Sequence, residues 1–206
     1  MLRYLPHPRV PAYASPGTEL KARDLQAYLG RIGEGLTRLG LEPPRVKLFL
    51  LNEADWRARL RLSYGFPAAK KGEVFAPATL PERLTLRVLE AFTEAGVAPP
   101  IPLAEAFDLI AGHEYGHAVA LALGKRRKSW QANERIAHCL WLAGLWGDPR
   151  LARIEAWARA LSKLPAPEGR PRRLAEELGA QGQLIIGCLE ALRAKGPKAV
   201  LKEVLS

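Results

Sequence analysis

Apolar residues recur at spacings of three and four through most of this chain, and bunch into short continuous runs only in its first third. Between Ser15 and Gly40, the positions Leu25, Leu29, Ile32, Leu36 and Leu39 share one side of a helix, and Gly40 supplies its stop. The run RVKLFLL, Arg45 to Leu51, is continuously apolar and short, so it predicts a strand buried on both faces, central or parallel in its sheet. NEADWRARLRL reads as a short helix or a loop, YGFP as irregular, and GEVFAP, Gly72 to Pro77, as a second short strand ended by proline. From Pro81 onward the helical period takes over, with helices expected over about 82–95, 102–123, 131–146, 149–163 and 179–195, and shorter pieces at 171–178 and 197–205. Strands early and helices late predict an α+β fold with a small N-terminal sheet and a helical C-terminal lobe. The 206 residues suit one domain of two lobes, about 1–124 and 125–206, sharing a cleft.

One helix breaks its own pattern. Over 102–123 the large apolar residues are Leu103, Phe107, Ile110 and Leu121, and continuing their spacing leads to positions 114 and 117, which hold Glu114 and His117. At ~100° per residue Glu114 falls within roughly 20° of Leu103 and Leu121, so a carboxylate interrupts the predicted core stripe. Burying a lone carboxylate costs several kcal/mol unless something positive lies beside it. His113 and His117 stack on one shoulder of the stripe, ~40° apart, where two imidazole nitrogens can converge on a divalent ion. The stretch HEYGH is thus the H-E-x-x-H arrangement of zinc peptidases, with Glu114 the general base. Gly112 and Gly116 bracket it and serve either close approach of a substrate or ordinary tight packing, whereas Tyr115 points elsewhere as a packing residue.

Composition narrows the setting. The chain is 48% hydrophobic and 25% charged, with no apolar run long enough for a transmembrane helix. The proline-broken N-terminal arm lacks the apolar stretch of a signal peptide, so a cytoplasmic protein is expected. Cys139 and Cys188 belong to no C-x-x-C pair and read as buried free thiols. Sparse Asn, Gln, Met and Cys beside 17 Pro resemble the composition of thermophile proteins. A net charge of +10 favours anionic partners but says nothing of chemistry. The basic runs GKRRKSW (Gly124 to Trp130) and GRPRR (Gly169 to Arg173) fall in predicted loops without an aromatic stacking platform, so nucleic acid is not the expected partner.

A catalytic zinc takes three protein ligands and keeps a position for water. The continuation H-x-x-G-x-x-H is absent, because Ala120 and Leu123 occupy the corresponding positions. Downstream, SWQANERIAHCLWLAGLWG carries Asn133, Glu134 and His138 on a further helix. With His113, Glu114 and His117 followed by NERIA, the chain resembles the gluzincin metallopeptidases, in which a second helix delivers a glutamate to the metal. The resemblance covers roughly residues 100–145 and implies Glu134 as third ligand, one Zn2+ ion and a zincin-like fold. The linker between His117 and Glu134 is short for that family, and the aspartate that follows the ligand glutamate in one branch is replaced by His138. His138 is therefore a candidate to orient a ligand, to substitute as a ligand or to donate to the transition state. Asn133 is a candidate to orient a ligand, Tyr64 a candidate oxyanion donor, Asp148 a remote alternative ligand, and His7 a surface residue.

The expected function is a zinc-dependent peptidase acting on a peptide or protein, with water activated on the metal and its proton taken by Glu114. The competing expectation is a non-proteolytic metal-binding or interaction protein on the same scaffold, with a closed site.

Overall fold

The computed structural model describes residues 1–166 and 173–206. Five strands form one sheet, ordered β1-β2-β3-β5-β4: β1 (Arg3–Leu5), β2 (Ala12–Ala14), β3 (Lys47–Leu51), β4 (Ala68–Lys70) and β5 (Glu73–Pro77). β3 lies between β2 and β5 and runs parallel to both, as its two-sided burial predicts. β1 and β4 are antiparallel edge strands. The three-residue strands β1, β2 and β4 were not expected from the sequence, because so short a segment carries no readable alternation and is held by its neighbours' hydrogen bonds.

Alternation along the sheet decides what each face covers. Ala12, Ala14, Leu48, Leu50, Val74 and Ala76 join the main core, while Phe49, Leu51 and Phe75 pack with Trp56 into a smaller cluster under the short helix α2 (Glu53–Arg59). On the main-core side lie α1 (Glu19–Arg38) and α4 (Leu103–Ala122). The rest are α3 (Glu82–Glu94), α5 (Trp130–Gly144), α6 (Arg150–Leu161), α7 (Leu174–Lys195) and α8 (Pro197–Leu205). The fold is α+β, and its main core runs without a break from Leu5 in β1 to Val204 in α8. No helix among the described residues is long and apolar enough to cross a membrane.

Two helical expectations change. The pieces at 171–178 and 179–195 are one helix from Leu174, and Gly179 sits inside it because a Cβ there would lie 2.2 Å from the Pro165 carbonyl oxygen. Helix α4 is buried almost all round, and the stripe of Leu103, Ile110, Glu114, His117 and Leu121 is its less buried side. The core is met instead by small residues such as Ala106, Ala111, Gly112, Gly116 and Ala118, which let neighbouring elements approach closely. The run GRPRR lies outside the described residues apart from Arg173.

Candidate metal centre

Helix α5 reaches α4 through glycine contacts. A Cβ on Gly116 would stand 2.2 Å from the Ala137 carbonyl oxygen, and one on Gly112 would stand 2.4 Å from Trp141 Nε1. The two glycines of the motif therefore serve tight packing. On its other side α5 abuts α1, where a Cβ on Gly35 would meet the Gly144 carbonyl oxygen at 1.7 Å. A relay locks the three helices: Trp141 Nε1 donates to Tyr28 Oη at 2.7 Å, and Tyr28 Oη donates to the Leu109 carbonyl at 3.1 Å.

The connection from α4 to α5 is short and braced. Gly124, at φ 72°, ends α4, and Ser129 caps α5 by accepting from the Ala132 N–H at 3.4 Å. Asn133 accepts from the Arg127 N–H at 2.8 Å and donates to the carbonyls of Arg127 at 2.8 Å and Ser129 at 2.9 Å. Its amide is thus occupied in holding the loop, one residue ahead of Glu134.

The seam brings the motif residues to one carboxylate. Glu134 Oε2 is 3.1 Å from His113 Nε2, and Glu134 Oε1 is 3.3 Å from His117 Nε2. The two imidazoles stand 4.6 Å apart at 75°, and Glu114 Oε1 lies 4.0 Å from His113 Nε2. The His138 ring lies against His113, centroids 4.0 Å apart at 25°. His113, Glu134 and His138 are buried, and their donor atoms lie within 4.8 Å of one another, a group that could hold a metal ion.

The electrostatics are unusual for a core. Burial alone would raise the Glu134 carboxyl, but hydrogen bonds and charge from His113 and His117 outweigh it and hold the group well below the usual carboxylate range. Burial lowers His113, and it lowers His138 further with the help of His113. Burial also opposes protonation of His117, yet its hydrogen bond to Glu134 and the charges of Glu114 and Glu134 leave it raised. Burial pushes Glu114 up to about 7, with Glu134 and Glu177 adding to the rise against His117. An ionised Glu134 beside the neutral rings of His113 and His138 is the protonation pattern a metal requires, while His117 must give up the proton that Glu114 and Glu134 favour before it can act as a ligand.

These groups open onto a cavity of about 300 Å³. Glu114, His117, Glu134 and His138 lie along its polar side, and Leu109, Trp141, Trp157 and Leu178 are among its apolar walls. Phe66 to Ala69, leading into edge strand β4, form part of its rim.

Other candidates fall elsewhere. Tyr64 faces a second cavity, where its hydroxyl accepts from the Thr79 N–H at 3.1 Å, so it is not among the residues lining the metal centre. Asp148 pairs with Arg150 at 3.0 Å near the start of α6, also outside the cavity. His7 is half-buried, its Nδ1 accepting from the N–H groups of Arg9 at 3.2 Å and Val10 at 3.0 Å. Cys139 and Cys188 are buried and free.

Gln181 of α7 was missed from the sequence. Its Nε2 donates to Glu134 Oε2 at 2.8 Å, and its Oε1 meets His138 Nε2. A signal existed: Leu174, Leu178, Gln181 and Ile185 all line the cavity at helical spacing, so a polar residue interrupts an apolar stripe, as Glu114 does on α4.

No protein-family model, curated protein or solved structure matches the chain.

Proposed function

We propose that the chain is a zinc-dependent metallopeptidase of zincin-like architecture, with His113, His117 and Glu134 as metal ligands and Glu114 as general base. The observation that carries this reading is the approach of two nitrogens, His113 Nε2 and His117 Nε2, to the two oxygens of a single buried carboxylate at 3.1 and 3.3 Å. Nitrogen and oxygen donors of this kind suit Zn2+. His117 is preferred to His138 because His138 Nε2 already meets Gln181, whereas His117 Nε2 faces Glu134 Oε1.

His113, His117 and Glu134 would hold a divalent cation, whose Lewis acidity would serve to polarise a substrate carbonyl and acidify water. Glu114 is half-buried beside the ligands with its pKa pushed up to about 7, which suits it to take a proton from the attacking water and return it to the leaving amine. The apolar cavity walls exclude water and receive a side chain of the substrate. Edge strand β4 leaves one row of backbone groups unpaired within the sheet, and an extended peptide can add to such an edge.

The test is zinc content followed by turnover. Wild type should bind about one zinc, His117→Ala should lose it, and Glu114→Gln should keep the metal while peptide hydrolysis falls by roughly 10²–10⁴-fold. Stoichiometric zinc in the His117 variant would sink the ligand set, and undiminished hydrolysis in the Glu114 variant would sink the base.

One observation favours the alternative of a non-proteolytic metal protein. His138 lies close enough to His113 and Glu134 to close the shell with a further nitrogen. Under that reading zinc binds with four protein ligands, and a chelator lowers thermal stability with no hydrolysis to lose.

A further inference from the structure

We propose that Gln181 is a positioning residue of the metal centre, transmitting the orientation of His138 to Glu134. The inference rests on the metal reading above and adds a residue from a part of the chain that the motif does not reach.

The direction of each hydrogen bond follows from one fact. An ionised carboxylate only accepts, so the Gln181 atom 2.8 Å from Glu134 Oε2 must be the amide nitrogen. The other end of the amide is then its oxygen, which accepts and cannot donate. His138 Nε2, which meets that oxygen, must therefore carry the proton. The chain reads His138 Nε2–H to Gln181 Oε1, then Gln181 Nε2–H to Glu134 Oε2. His138 Nδ1 is a buried atom without a hydrogen-bond partner among the described residues, so a proton there would have no acceptor, and the ring is neutral with its lone pair on Nδ1.

Two helices meet in this relay, and a third braces it. Glu134 and His138 sit one turn apart on α5, and Gln181 comes across from α7, where Gly182 packs tightly against α6 with a would-be Cβ 2.5 Å from the Ser162 N. That close approach fixes the α7 backbone beside Gln181. The amide ties Oε2, and Oε1 faces His117. Two histidines face the Glu134 oxygens, and the amide adds a donor that selects which oxygen faces which ring, so one carboxylate orientation is favoured. Residues that orient metal ligands typically change metal affinity by 10–100-fold when removed.

The experiment uses the full chain and Zn2+ itself, with affinity read by competition against a chromophoric chelator. Gln181→Met keeps the volume and removes both hydrogen bonds. It should weaken zinc roughly 10–100-fold and alter the visible spectrum of the Co2+-substituted protein, whose bands report ligand geometry and not global stability. His138→Leu should show a loss of similar size, and the double variant should be no weaker than either single one, since the two residues act as one unit. Thermal unfolding of the metal-free proteins checks folding, and Gln181→Leu serves if the Met variant does not fold. Wild-type zinc affinity and an unchanged Co2+ spectrum in the Gln181 variant would overturn the proposal alone. A His138 loss far beyond that of Gln181, additive in the double variant, would also overturn it by making His138 a direct ligand. A wild type that binds no zinc would overturn the metal reading and this one together.

Discussion

Two cavities in this protein differ in a way that volume does not predict. The larger, about 650 Å³, is lined by Tyr64, Arg57, Arg83 and Arg87, whose guanidinium groups are exposed and whose charges stay hydrated. The smaller, about 300 Å³, has His113, Glu134 and His138 buried along its wall. Hydrated charge is cheap and needs no further cause. Buried charge and imidazole must be compensated, and here the compensation is mutual: Glu134 between two histidines, tied by Gln181. The lesson is that the cost of placing polar groups, not the size of a hollow, marks where chemistry is built.

The largest expected effect separates the two cavities by metal. Zinc at roughly 1,000 times its dissociation constant should stabilise wild type by about 4 kcal/mol, or roughly 10 °C in Tm for a chain of this size. Chelation should remove that increment, and His117→Ala should never show it. An unfolding curve indifferent to zinc would erase the distinction between the cavities.

Next comes the seam that brings α5 to α4. Gly116→Ala drives a methyl toward the Ala137 carbonyl, 2.2 Å from its ideal position, and should cost roughly 3 kcal/mol together with zinc affinity. Gly187→Ala, in α7 where the new Cβ meets no packing neighbour within 4 Å among the described residues, should instead gain about 1 kcal/mol by helix propensity. Denaturant melts of the pair would refute the close-packing account if the two substitutions behaved alike. Tyr28→Phe strands the Trp141 N–H and takes a second hydrogen bond from the Leu109 carbonyl, a loss of about 1–3 kcal/mol readable in the same melts. Smallest of all, Arg83→Ala and Arg87→Ala should each shift stability by less than about 0.5 kcal/mol and leave zinc affinity untouched. A strong zinc effect from either would mean the larger cavity is coupled to the metal centre.

Much of the helical half was legible from its period, with α3, α4, α5, α6 and α8 found within a few residues of their bounds. Strand β3 was legible from continuous burial, and its central parallel position followed. The edge strands were not, since three residues such as Ala68–Lys70 carry no pattern apart from the neighbour they pair with. The structure brings together His113, Glu114 and His117, singled out by helical spacing and the H-E-x-x-H motif, and Glu134, singled out by the NERIA resemblance. Tyr64, the candidate oxyanion donor, lies in the other cavity, because no local pattern in the sequence says which loop closes over which helix.

By itself, then, the sequence determined that a helix near residue 113 carries two imidazoles and a carboxylate on neighbouring faces, because helical geometry is local and repeats every 3.6 residues. It determined the central strand for the same local reason. Only the tertiary structure decided that the stripe holding Glu114 faces a cavity, that Gly116 is a seat for α5, and that Gln181 reaches Glu134 across 47 positions of chain. Those outcomes depend on which helices touch, and at what distance, a property of packed backbones and side-chain volumes that no single segment carries.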